Sequence, residues 1–237
     1  MSSFRAVSSP LRWIVAGLAI GVSACALASC SSAKEPDFPD PDVAGRDVNP
    51  DGIAYPTDHI GGEKRTALRR GDRIPNFTFQ AYVDGDRAAG LKTISLADYY
   101  DPKQKRFKLL HLEVASTWCA ICSSEAEATV IAKEPLGKEG VAYLEVIVSG
   151  AAAGEGPSLS EVDNWVSRHE SNFTTGIDVR ARRLGSIGVA VDVMPWDIMI
   201  DTRTMEILDS AGGAPADIVA FDRSYLALVA KITPAYE

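Results

Sequence analysis

The stretch FKLLHLEVASTWCAICSSEAEATVIAK, residues 107–133, decides the architecture. Phe107–Ala115 is largely apolar with His111 and Glu113 inside it, the pattern of a strand buried on both faces. Helical pattern begins near Cys119 and runs to about Lys133. At the junction stands Trp118-Cys119-Ala120-Ile121-Cys122. A thiolate at a helix N-terminus meets unpaired N–H groups and the positive end of the helix dipole. Such a setting lowers a thiol pKa from about 8.5 toward ~3.5–7.5. Two intervening residues on one helical turn let the second sulfur reach the first. Cys119 is the candidate nucleophile, and Cys122 the resolving thiol that ejects a mixed disulfide. Two plainer uses compete. A zinc site needs two more ligands at finger-like spacing, whereas no second Cys pair exists and His59, His111 and His169 are scattered singly. A structural disulfide closing so short a loop adds little stability.

The remaining elements fall around this unit. Phe77–Tyr82 alternates like a strand, Asp84-Gly85 turns the chain, and Lys92–Leu96 reads as the return strand. Ser95 is placed to cap a short helix through Tyr100. Downstream, Val141–Val148 reads as another buried strand, and Ser160 as the cap of a helix carrying Val162, Trp165 and Val166. A strand follows near Phe173–Val179, and Trp196–Asp201 and Glu206–Ser210 form a pair joined through Thr202–Met205. Ile218, Phe221, Tyr225, Leu228, Val229 and Ile232 recur at helical spacing, so the chain closes on an amphipathic helix. Alternating β and α elements, then a hairpin and a helix, predict an α/β sandwich around a mixed sheet.

Composition narrows the partners. The 237 residues carry a net charge of −8 with no Lys/Arg-rich run, which argues against a nucleic-acid backbone. Collagen, coiled coil, mucin and a polytopic membrane protein are excluded. The N-terminus reads as an address. Arg5 and Arg12 precede an apolar, small-residue run from Trp13 to Ala28, the layout of an export signal over residues 1–29. Residues 30–70 then read as an acidic, Pro-rich tether, with six acids, two bases and four prolines in residues 31–51 alone. Inside it, Asp47-x-Asn49-x-Asp51-Gly52 with Asp58 at the twelfth position matches part of a calcium loop. Pro50, Pro56 and the missing Glu at that last position favour the plain linker. Residues 71–237 are assigned to one folded domain.

Two resemblances follow. Leu27-Ala28-Ser29-Cys30 resembles the lipobox of bacterial lipoproteins, which implies cleavage before Cys30 and lipid on its sulfur; Val22-Ser23-Ala24-Cys25 is a poorer match. Ser31 after Cys30 leans toward outer-membrane sorting, so the resemblance implies a lipid-anchored, periplasm-facing protein of the bacterial cell envelope. From about Gly71 to Ile232 the chain resembles the thioredoxin superfamily, in particular the TlpA-like redoxin domains. Gly71-Asp72-x-x-Pro75-x-Phe77, Trp118-Cys119-x-x-Cys122, Glu125 three residues on, and Met194-Pro195 before a strand carry that likeness. It implies a thioredoxin-like three-layer α/β/α sandwich, and a redox-active Cys119–Cys122 disulfide with no other cofactor and no metal. Pro195 is then expected in the cis form, with Met194 and Trp118 contacting substrate. Glu113 takes the place of a buried acid that accepts the proton of Cys122, and Glu125 tunes the thiols. His111, two residues earlier on the same strand face, is placed to share a proton with Glu113.

The resemblance implies a thiol–disulfide oxidoreductase serving exported thiol or disulfide proteins and fed by a membrane or periplasmic electron donor. Ala120-Ile121 is neither Gly-Pro nor a proline-containing pair, so oxidant and reductant both stay open. A peroxiredoxin-like thiol peroxidase is the first alternative, although Leu112 and Ala115 stand where Pro and Thr are expected before the peroxidatic cysteine. A Cu(I)-binding module using Cys119, Cys122 and Met194 is the second, since thiolates and a thioether suit that ion.

Overall fold

The computed structural model describes residues 45–60 and 68–233. The export signal, Cys25, Cys30 and the first part of the tether lie outside the described residues. The domain is a seven-stranded mixed sheet in the order β2-β1-β5-β4-β3-β6-β7. Its strands are β1 (Thr78–Tyr82), β2 (Lys92–Ser95), β3 (Leu109–Ser116), β4 (Val141–Ser149), β5 (Thr174–Ile177), β6 (Trp196–Asp201) and β7 (Glu206–Gly212). Helices α1 (Ala120–Glu139), α2 (Leu159–Arg168) and α3 (Ile218–Val229) complete it. β3 runs parallel to β4 and antiparallel to β6, so it is paired along both edges, as its apolar run requires.

Parity along the strands divides the sheet. His111 and Glu113 share a face with their register partners Tyr143 and Glu145 on β4, and Asp197 and Met199 on β6. All three helices cover this face. Glu125 of α1 meets Asp197, Trp165 of α2 bonds Glu145, and Asp222 of α3 pairs with His111. The opposite face presents Leu110, Leu112, Val114, Leu144, Val146, Ile198 and Ile200, each buried. The α/β arrangement around a mixed sheet is as expected.

Three boundaries differ from expectation for identifiable reasons. α1 runs on through Pro135 to Glu139, with Ala132 and Leu136 fully buried on either side of the proline and Gly140 closing it at φ 107°. α2 is capped by Ser158, not Ser160. The Ser158 nitrogen donates to the Glu161 carboxylate at 2.6 Å, and the Glu161 nitrogen donates back to Oγ at 3.2 Å. Asp163, the acid three residues after Ser160, is instead held by Arg87 at 2.6 Å.

Residues 45–60, read from composition as tether, pack on the domain. Tyr55 is buried and its hydroxyl donates to the Ile74 carbonyl at 2.7 Å. Asn49 is 2% exposed, donates to the Tyr100 carbonyl at 3.1 Å and accepts from the Ile53 nitrogen at 2.7 Å. Gly45 sits so close to Thr78 and Ser95 that a Cβ would fall 2.1 Å from both hydroxyl oxygens. The side chains of the calcium-like pattern are drawn apart, Asp47 to Asn76, Asp51 to Lys105, and Asp58 to His59 and Arg73.

Candidate active site

The end of β3 places the cysteines. Thr117 nitrogen donates to the Ser149 carbonyl at 3.1 Å and Cys119 nitrogen to the Ser116 carbonyl at 3.0 Å, so the chain leaves the sheet in a tight, pinned turn. Cys119 is the extended N-cap of α1, and its Sγ accepts from the Cys122 nitrogen at 3.1 Å. No acid occupies the first turn of α1, so no side-chain carboxylate there opposes negative charge on that sulfur. Cys119 and Cys122 are joined in a disulfide. Cys122 is wholly buried and Cys119 is 5% exposed, so the outer sulfur is the one a partner can approach.

Apolar surface surrounds that sulfur. Trp118 and Ile121 are exposed on either side of it. The Met194–Pro195 bond is cis, as the resemblance implies. Trp196, next along the chain, pairs with Val114, which brings the proline loop to the C-terminal end of β3, where the cysteines are. Met194 is buried and Val193 exposed in the same loop. A cleft of about 630 Å³ opens beside Trp118, with Thr117, Ala151, Asn164 and Arg168 in its walls.

Behind the disulfide the core is acidic. Glu113, Glu125, Glu145, Asp197 and Asp222 are all at most 3% exposed. Burial, then the charge of Glu125, pushes the Glu113 carboxyl well above the usual range. Burial and then Asp197 push Glu125 up to about 8. Burial raises Glu145 to about 7, against the pull of hydrogen bonds from Trp165 and Thr175. Burial alone would neutralise His111. The carboxylates of Asp222 and Asp197 override it and push the imidazole up to about 10. His111 Nε2 lies 2.9 Å from Asp197 Oδ1, and Nδ1 lies 2.9 Å from Asp222 Oδ1, the latter off the ideal hydrogen-bond line.

The expected partnership of His111 with Glu113 is therefore replaced. His111 lies between Asp197 and Asp222, while the charge of Glu125 acts on Glu113. Asp197, Asp222, Tyr143 and Glu145 were not singled out from sequence. Their signal is present, because each polar group interrupts a run that is otherwise buried: Glu145 in β4, Asp197 in β6, Asp222 four residues after Ile218 in α3. Among the described residues, His111, Glu125 and Asp197 form the one group of donor atoms that could hold a cation, all within 4.8 Å of one another.

No family model matches the sequence, and no curated protein is similar to it. Solved structures are similar in fold. The Chlorobium tepidum protein assigned as thiol:disulfide interchange protein DsbE superimposes with a TM-score of 0.53 at 20% identity, over 69% of this chain and 99% of that one. A secreted thiol-disulfide isomerase from Corynebacterium glutamicum gives 0.52 at 19% identity, over 72% and 94%. Peroxidoxin BcpB from Mycobacterium tuberculosis gives 0.51 at 12% identity, over 70% and 99%. These likenesses establish the fold.

Proposed function

We propose that this thioredoxin-fold domain is an extracytoplasmic thiol–disulfide oxidoreductase. The observation that carries the proposal is the Cys119–Cys122 disulfide at the N-terminus of α1, with its outer sulfur reachable and a proton-holding carboxyl pair behind it. In the reducing direction the Cys119 thiolate attacks a disulfide of a partner protein. A Cys119–partner bond forms, the partner's second sulfur leaves as a thiolate and takes a proton. Cys122 then yields its proton to the Glu113–Glu125 pair and attacks Cys119 sulfur. The partner leaves with both sulfurs reduced, and the Cys119–Cys122 bond holds the two electrons' worth of oxidation. The oxidising direction is the same path reversed. An extended partner chain has room along the Met194–Pro195 loop and the cleft beside Trp118.

Cys30, lipidated after export, would hold the domain to the cell envelope facing the periplasm, where exported proteins supply thiols or disulfides and a membrane or periplasmic donor supplies electrons. The lipobox-like Leu27-Ala28-Ser29-Cys30 supports the anchor. The test is trapping. Cys122→Ser should accumulate a mixed disulfide with exported proteins, and Cys119→Ser should lose all turnover. Reduced protein that traps nothing and never closes its own disulfide would sink the reading.

A further inference from the structure

Six ionisable side chains from five elements form one continuous line through the core: Glu113, Glu125, Asp197, His111, Asp222 and Tyr143. Glu113 meets Glu125, Glu125 meets Asp197, Asp197 and Asp222 flank His111, and the Tyr143 hydroxyl donates to Asp222. Glu145 faces Glu113 from β4 and is held by Trp165 at 3.0 Å and Thr175 at 3.2 Å. Within this line His111 is the basic group, set between Asp197 on β6 and Asp222 on α3.

Contact chemistry fixes where the protons are. Two carboxyl groups that touch are both acceptors unless one carries a proton. The Glu113–Glu125 pair therefore shares one proton, and its second carboxyl is left to accept another. An imidazole with a carboxylate oxygen 2.9 Å from each ring nitrogen has two acidic groups beside it that favour the imidazolium form. The line is dry, with only Tyr143 as much as 7% exposed, so its charges act on each other with little screening.

We propose that His111 is a positioning residue for thiol–disulfide exchange: a buried imidazolium between Asp197 and Asp222 whose charge sets how tightly the Glu113–Glu125 pair holds the proton taken from Cys122. This rests on the oxidoreductase reading. Removing the cation should make the pair hold its proton more tightly. Removing the anion on the far side of the ring, Asp222, should loosen it. A residue that merely packs has no reason to give opposite signs.

The probe is 5,5′-dithiobis(2-nitrobenzoate) added to reduced protein across the pH range. Thionitrobenzoate leaves once when Cys119 attacks and again when Cys122 resolves, so the second phase reports the proton transfer. His111→Gln should move the pH midpoint of the second phase up by about one unit, and Asp222→Asn should move it down, a shift ordinary for a unit charge a few ångströms away in a protein interior. Midpoints that stay put, or that move in the same direction, overturn the proposal. A parent protein with no second phase overturns the oxidoreductase reading instead. A measurement on the unaltered chain covers variants that fail to fold. Two-bond ¹H–¹⁵N correlation spectra should show His111 protonated on both nitrogens at neutral pH, and a neutral ring there refutes the cation.

Discussion

Glu113 on β3 and Asp197 on β6 sit directly opposite each other across an antiparallel strand pair, and Glu145 flanks Glu113 on its other side. Three acids in a row across the centre of a sheet is an arrangement that like-charge repulsion opposes. It persists because the row is not fully ionised.

The first consequence concerns Glu113. Glu113→Gln keeps the shape and removes the carboxyl proposed to accept the Cys122 proton. Resolution of a mixed disulfide should slow on the order of 10²-fold, the usual scale of a lost general base. Attack by Cys119 should change little. Stopped-flow separation of the two thionitrobenzoate phases checks both statements.

Stability should fall in alkali. Glu145, up to about 7, and Glu125, up to about 8, keep protons that the unfolded chain sheds above its ordinary carboxyl pKa of 4.5. Their contribution is complete below that value and is lost as the pH climbs through 7 and 8. His111 adds a contribution present below 6.5 and lost on approach to about 10. The thermal midpoint should therefore drop steadily from about pH 5.5 to about pH 9. Glu125→Gln should flatten that drop, and a curve as steep as the parent's would contradict the assignment.

Trp118 offers an exposed flat face beside the nucleophile. Trp118→Ala should weaken capture of a protein partner by about fivefold or more, as loss of an interface aromatic does. Small aromatic disulfides should react at nearly the parent rate. Equal losses for large and small substrates would instead point to a damaged site.

Asn49 ties residues 45–60 to the domain. Asn49→Ala removes both of its hydrogen bonds and leaves the Tyr100 carbonyl and Ile53 nitrogen without them, at a cost of about 1–3 kcal/mol. Limited proteolysis should begin within 45–60 in this variant and not in the parent. Leu144→Ala, at a fully buried position of the central strand β4, should lower global stability by about 2–5 kcal/mol with no preference for that segment.

Much of this was legible in residues 107–133, where a buried strand, a cysteine pair and a helix stand in order. The bounds of β6 were read as the structure has them, because apolar residues sit between a proline and an Asp-Thr turn. Three things were hidden. Pro135 looks like a helix end, yet its neighbours Ala132 and Leu136 bury enough to carry α1 past it. The acidic, Pro-containing composition of residues 45–60 conceals two anchors, Asn49 and Tyr55, that act through single hydrogen bonds and not through periodicity. Finally, sequence spacing can place His111 and Glu113 on one face, but their partners come from β6, α1 and α3, and only the folded packing chooses among them.

The docking of Gly45 against Thr78 and Ser95 has a consequence for aim. By strand register, Thr78 lies level with Ser116, at the edge of the sheet that carries Cys119. Four strand spacings, about 19 Å, separate β2 from β3. The chain thus joins the domain on the same rim as the nucleophile. Residues 45–60 therefore border the cysteine end of the sheet, and a partner that docks on Cys119 from that side meets this segment as well as the Trp118 cleft.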